Sequence, residues 1–254
     1  MRRQQGYKFR LNLPTGAATR LSQQAGCVRV VWNRAMALSK DKYPGFKTLC
    51  SLLPAWKQEL PWLADADSIA LQQSLRNLDR AWQNFFKFPE SYDRPGFKKR
   101  GDRDSFRIVG AAAKKTEASR VWLPKFGWLH FRVSRPWEGS VKSVTFSRKA
   151  GKWYVSILTE REVAEPVKRQ GDWLGIDVGI AQYATLSTGE HKPSIYALRQ
   201  AQKRLTKLSR KLQRATKGSR RRRRTKMRLA ACHAKIANKR ADHAHKVSSE
   251  IVTK

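Results

Sequence analysis

The stretch WLGIDVGIAQYATLSTGE, residues 173–190, decides how the rest of the chain is read. Leu174, Ile176 and Val178 alternate with Gly175 and Asp177, the period-two pattern of a buried strand. Asp177 falls on the face opposite those aliphatic residues. Gly179 permits a tight reversal, Gln182 to Ser187 returns as a second strand, and Ser187-Thr188-Gly189 closes it as a turn. The expectation is a hairpin that holds one carboxylate near its bend. A carboxylate there is costly to bury without a positive partner, and a metal ion is one such partner.

Around this hairpin the charge is lopsided. Lys plus Arg number 54 against 19 Asp plus Glu, a formal net charge of +35. Self-repulsion of that size opposes compaction unless a polyanion sits on the surface, and nucleic acid is the obvious one. At 254 residues and 40% hydrophobic composition the chain is globular, with room for one sizeable core or two smaller ones. No apolar run reaches the roughly 18 to 20 residues that span a membrane. The opening MRRQQGYKFR has no apolar h-region, so no secretory signal is expected. Cys27, Cys50 and Cys232 form no CxxC pair, which favours a reduced, cytoplasmic protein. No small-molecule substrate and no membrane partner are implied.

Outward from the hairpin, toward the N-terminus, residues 7–13 alternate as a short strand ended by Pro14-Thr15-Gly16. Leu21, Ala25, Val28, Trp32 and Ala35 fall at steps of three and four within 17–40, an amphipathic helix. Pro44, Pro54 and Pro61 break 42–63 into short helical turns. Asp67-Ser68 is an N-cap signal for a helix carrying Leu71, Leu75, Leu78, Trp82 and Phe85, stopped by Pro89. Residues 89–120 form a charged loop presenting Arg94, Lys98, Lys99, Arg100 and Arg103, with Tyr92, Phe97 and Phe106 among them. That mixture suits irregular RNA, whose bases stack and whose phosphates pair; a solvated loop explains it equally well. Residues 121–162 are strands, including a hairpin about Arg148-Lys149-Ala150-Gly151. Chain order pairs them with strand 7–13, which makes the helices an insertion into a β barrel or sandwich.

Beyond the hairpin lie two long basic helices. Ala201, Leu205, Leu208, Leu212 and Ala215 stripe the first; Met227, Ala230, Ala234, Ala237, Ala241, Ala244, Ser248 and Ile251 stripe the second. Gly218-Ser219 and the run Arg220, Arg221, Arg222, Arg223, Arg224 join them as an antiparallel hairpin. Between Arg199 and Lys246 stand nineteen Lys/Arg and one acid, Asp242. A solvated face mixes signs; this one does not, so polyphosphate contact is expected there, with Lys226 and Arg228 beside the arginine run. Cys232, His233, His243 and His245 do not have the spacing of a zinc finger and all fall on one helix, so zinc is not expected.

The order of motifs resembles TnpB (OrfB), the insertion-sequence protein family ancestral to type V CRISPR effectors. The resemblance rests on GIDVGIAQYATLSTGE at 175–190, which looks like the first RuvC motif, and on the helical hairpin after it. YKFRLNLPTG, VWNRAM, GFKKR at 96–100 and KSVTFSRKAGKWYVSI also match, so it covers essentially the whole chain. The fold it implies is α+β. A β-barrel-like wedge domain (1–16 and 121–168) carries an inserted helical recognition lobe (17–120). The start of an RNase H-like, RuvC-type domain with its basic helical hairpin follows (169–254). It implies a transposon-end RNA as guide, DNA as target, and Asp177 as the first ligand of a two-ion Mg²⁺ site.

Where that family carries a second carboxylate on the next strand, and a third beyond a zinc ribbon, this sequence stops at Lys254. Glu190 lies on the order of 20 Å along the returning strand from Asp177. The expectation is therefore a truncated form that binds nucleic acid without cutting by itself. Three other readings stand beside it. A guided DNA binder or repressor without cleavage would lose binding with the basic hairpin and not with Asp177→Ala. An N-terminal helix-turn-helix reader of transposon DNA would need residues 1–60 alone to bind a specific sequence. An actin-like ATPase also opens its phosphate loop with GIDVG, but Ile180 and Ala181 follow here in place of hydroxyl side chains.

Overall fold

The computed structural model describes residues 1–39, 42–101, 104–165 and 173–253. It has two compact units, Met1–Glu165 and Pro166–Lys254.

The first unit is built on a curled six-stranded antiparallel sheet ordered β2-β5-β6-β1-β4-β3. Strand β1 (Arg2–Asn12) lies inside it, paired to β4 (Gly127–Arg132) and β6 (Lys152–Glu162). The pairing of the early strand with those of 121–162 is thus as chain order suggested. Tyr7, Phe9 and Leu11 alternate into the core, with Phe9 stacked on Phe131 at 5.0 Å. β5 (Ser140–Lys149) and β6 form the expected hairpin. Ala150 and Gly151 both take positive φ (49° and 78°), the two-residue turn whose twist matches the strands. β3 (Arg120–Leu123) closes one edge.

The other edge corrects the reading of 89–120 as a loop. Ser105–Val109 is strand β2, paired to β5, and Phe106 is buried against Phe146. Phe106 is a core residue, not a stacking platform. A one-turn helix α5 (Ala111–Lys114) follows.

Between β1 and β2 run α1 (Ala17–Leu38), α2 (Phe46–Ser51), α3 (Leu53–Glu59), a 3-10 turn (Pro61–Asp65) and α4 (Ser68–Lys87). The helical stripes hold: Leu21, Ala25, Val28, Trp32 and Ala35 of α1 and Leu71, Leu75, Leu78 and Trp82 of α4 are all buried. The Asp67 carboxylate caps α4 by accepting from Ala70 N, while its own N–H donates to Gln24 Oε1. Helices and sheet share one hydrophobic core.

In the second unit, β7 (Ile176–Asp177), β8 (Gln182–Leu186) and β9 (His191–Pro193) form a small antiparallel sheet. α6 (Ala197–Gln213) and α7 (Arg220–Thr253) follow. The hairpin about Gly179 is present, and β9 is an added strand that its three residues did not announce. Two expectations fail. Leu174, Ile176 and Val178 are exposed, so β7 is not buried by the described residues. The arginine run is not a linker but the first turns of α7.

Candidate nucleic-acid interface

Helix α6 forms because its apolar residues recur at helical spacing: Ala201, Leu205 and Leu208 pack on Cys232 and Ile236 of α7. The seam on α7 is rotated from the alanine stripe. Thr225, Cys232, Ile236 and Val247 are buried, whereas Met227 is exposed. Alanines offer too little apolar area to choose the face once Cys and Ile compete for it.

With the leucines of α6 turned to α7, Arg199, Lys203, Lys207, Arg210 and Arg214 share the opposite face. They come about once per turn, roughly 5.4 Å apart along the axis. They line a groove of about 1270 Å³, completed by Thr216 and Ser219 of the turn and Arg221 at the head of α7. None of them forms an ion pair with a described residue. Like charges at i,i+4 destabilise a helix by roughly 0.2–0.5 kcal/mol per pair. The chain therefore carries a repulsive stripe, which salt screens and a bound polyanion would relieve. The run Arg220–Arg224 draws the eye in the sequence, and the α6 stripe was missed beside it. Its signal was legible as cations at 4-4-3-4 spacing opposite leucines.

The arginine run divides by role. Arg222 turns back to donate to Leu212 O (2.6 Å) and Ala215 O (3.0 Å), the carbonyls at the end of α6. Its guanidinium sits on the negative end of that helix dipole and braces the turn. Arg221 lines the groove. Arg220, Arg223, Arg224, Lys226 and Arg228 are exposed. Cations at a helix N-terminus oppose its dipole, and no acid in the first turn offsets them.

In the first unit the basic loop is strapped to α1. Trp32 Nε1 donates to Gly96 O at 3.0 Å, and Asn33 exchanges hydrogen bonds with both backbone groups of Lys98 (2.8 and 3.0 Å). Arg94 lies over Trp82 and donates to Ser39 O. Lys98 Nζ sits 3.5 Å from the centre of the Trp32 ring, and burial pushes its ammonium down to about 8. Lys99, Arg100 and Phe97 point outward. Arg103 lies outside the described residues.

Asp177 is exposed and pairs across the sheet with Thr185, whose hydroxyl lies 3.2 Å from His191 Nδ1. The two other carboxylates considered for this region are engaged elsewhere. Lys192 Nζ bridges Glu190 and Glu250, each at 2.9 Å, and both hold its ammonium above the ordinary value. Lys192 pairs with Ala184, one residue out of step with Thr185, so its side chain leaves the sheet on the face opposite Asp177. Among the described residues no three His, Cys, Asp or Glu side chains converge as metal ligands. One carboxylate, Asp177, does not fit a two-ion Mg²⁺ site. Of the residues weighed for zinc, Cys232 is in the α6–α7 seam. His243 packs edge-on against Tyr183 at 4.7 Å, eleven residues or roughly 16 Å further along α7.

Sequence relatives match this layout. A family described as "Probable transposase" matches residues 156–254, and one described as "Helix-turn-helix domain" matches residues 1–46. Over the latter span the structure holds β1 and α1, and α2 opens only at Phe46, so the local geometry is strand-turn-helix. A protein of Escherichia coli (strain K12) named "Putative RNA-guided DNA endonuclease InsQ" is 39% identical over 99% of this chain and 64% of its own length. A protein of Streptomyces pristinaespiralis named "Putative RNA-guided DNA endonuclease" is 34% identical over 97% of this chain and 63% of its own length. The chain thus spans a little under two thirds of these relatives. Taken with the strand, helix and hairpin order above, they place this chain in the TnpB/OrfB family of insertion-sequence transposases.

Proposed function

We propose that the chain grips a structured guide RNA from the transposon end, and DNA with it, through the unopposed cationic face of α6 and the head of α7. The single observation that carries this is the groove beside α6, lined by cations one per turn with no carboxylate partner among the described residues. In this reading Met1–Glu165 acts as wedge and recognition lobe. The β7–β8 hairpin with Asp177 is the first motif of a RuvC-type nuclease domain, and the work is done in the cytoplasm. The relatives' names supply the class of reaction, RNA-guided DNA cleavage.

The 254 residues on their own bind without cutting. Supporting this, Glu190 and Glu250 are neutralised on Lys192, away from Asp177. The test is gel retardation of a stem-loop RNA and a DNA duplex by the purified chain, with Mg²⁺ and a nuclease readout. Retention of both without cleavage is expected. Cleavage that disappears in Asp177→Ala would establish the cutting reading instead. Failure to retain either nucleic acid at moderate salt would end the proposal.

A further inference from the structure

A second concave site lies in the first unit. It is a cleft of about 670 Å³, within the range of small-ligand sites, walled by α1, the turn Trp62–Ala66 and the β3–β4 turn at Lys125-Phe126. Its walls are pinned to one another. Lys125 takes a left-handed φ of 66°, rare for a residue with a side chain. Its carbonyl accepts from Arg20 on α1 and its ammonium donates to Ala64 O. A strained residue clamped at both ends holds the cleft open in advance of any ligand.

The lining has two stacking surfaces. One is Trp62, 45% exposed although large and apolar. The other is the Arg20 guanidinium, laid on the Phe126 ring at 4.7 Å. The polar lining is of both kinds. Asp65 is an exposed carboxylate acceptor. Gln24 Oε1 accepts from Asp67 N, and its Nε2, on a residue 2% exposed, has no acceptor among the described residues. A buried amide donor left unmade is costly, and a ligand atom or water is what removes that cost.

Flat faces, an amide donor, a carboxylate acceptor and nearby guanidinium groups are what an unstacked nucleobase needs: ring contact, edge hydrogen bonds and charge for its phosphate. We propose that this cleft takes a single unpaired nucleobase of the bound nucleic acid, with its ring on Trp62 and its edge toward Gln24 and Asp65. The inference rests on the nucleic-acid reading above and adds a place where one base is held apart from the phosphate grip of α6.

The test uses the full chain and a twelve-nucleotide single-stranded RNA carrying 4-thiouridine. Irradiation is expected to crosslink peptides spanning residues 20–30 or 62–66. Trp62→Ala should weaken binding roughly tenfold, the scale of one lost base stack, and Trp62→Phe should restore most of it. Trp62 is exposed, so neither change threatens folding. Crosslinks confined to α6 and α7, with Trp62→Ala binding as the native chain does, would overturn the cleft proposal and leave the α6 grip standing. No retention of the RNA by the native chain would remove both. Uridine monophosphate bound alone in a Trp62-dependent way, while the oligonucleotide ignores Trp62, would make this a free-nucleotide site and overturn the assignment to a polynucleotide.

Discussion

Many cations of the first unit and those along α6 of the second are used in opposite ways. In Met1–Glu165 cations are folded into the structure. Arg29 pairs with Asp104 at 3.0 Å, Arg34 with Glu59, Lys142 with Glu160 and Arg161 with Glu138. Others lie on rings: Arg76 on Phe46, Arg94 on Trp82, Lys98 on Trp32 and Arg120 on Trp128. Along α6 the cations touch nothing of opposite sign among the described residues, and one per turn faces a groove. A formal charge of +35 therefore contains two populations, one engaged within the fold and one without an acidic partner among the described residues, which the proposed function assigns to a polyanion. Composition reports their sum and not the division.

Four substitutions press on that division, from the largest expected effect to the smallest. Arg29→Ala removes the close partner of Asp104, whose side chain is only 11% exposed, and leaves it Arg148 at 3.9 Å. Breaking a largely buried pair costs about 3 kcal/mol. A melting curve should fall by several degrees while retention of a DNA duplex by the α6 face is unchanged; the reverse would mean that this arginine belongs to the other population. Arg222→Ala uncaps the end of α6 and should cost about 2 kcal/mol, the worth of charged hydrogen bonds to carbonyls. Arg221→Ala, one residue away, should leave the melting temperature alone and weaken nucleic-acid binding instead.

Lys98→Met is the smallest and is read through pH. Burial lowers the folded-state ammonium to about 8 from its ordinary 10.5, although the Trp32 ring favours the charged form in part. Between those values the unfolded chain binds more protons, so native stability should rise as pH climbs from about 8 toward 10.5. Below about 8 the penalty of keeping the charge is fully present. The Lys98→Met chain should lack that rise in a urea titration at pH 7.5 and 9.5, and an identical rise in both chains would put its source elsewhere.

What the sequence made legible follows from how local each signal is. Apolar residues at three-four spacing placed α1 and α4 because burial of one face is dictated within the helix itself. The hairpin about Ala150-Gly151 was legible because its turn requires positive φ at both residues. β2 was hidden because Ser105–Val109 follows a dense run of charge, and only its ladder with β5 makes it a strand. The alternation around Asp177 predicts a strand that is able to be buried; burial itself depends on what covers it. The fate of a cation was least legible. Arg221 and Arg222 are neighbours of the same type, and only the path of the turn from α6 to α7 sends one into the groove and the other onto carbonyls.

The most direct test of the division is the salt dependence of DNA duplex binding. It compares the native chain with one carrying Lys203→Gln, Lys207→Gln, Arg210→Gln and Arg214→Gln. Each phosphate neutralised contributes about 0.9 to the slope of log K against log salt. The account predicts a slope shallower by up to about 3.6 in the substituted chain, with a melting temperature equal to or above the native one. Equal slopes in the two chains would show that the phosphate grip lies elsewhere and contradict it.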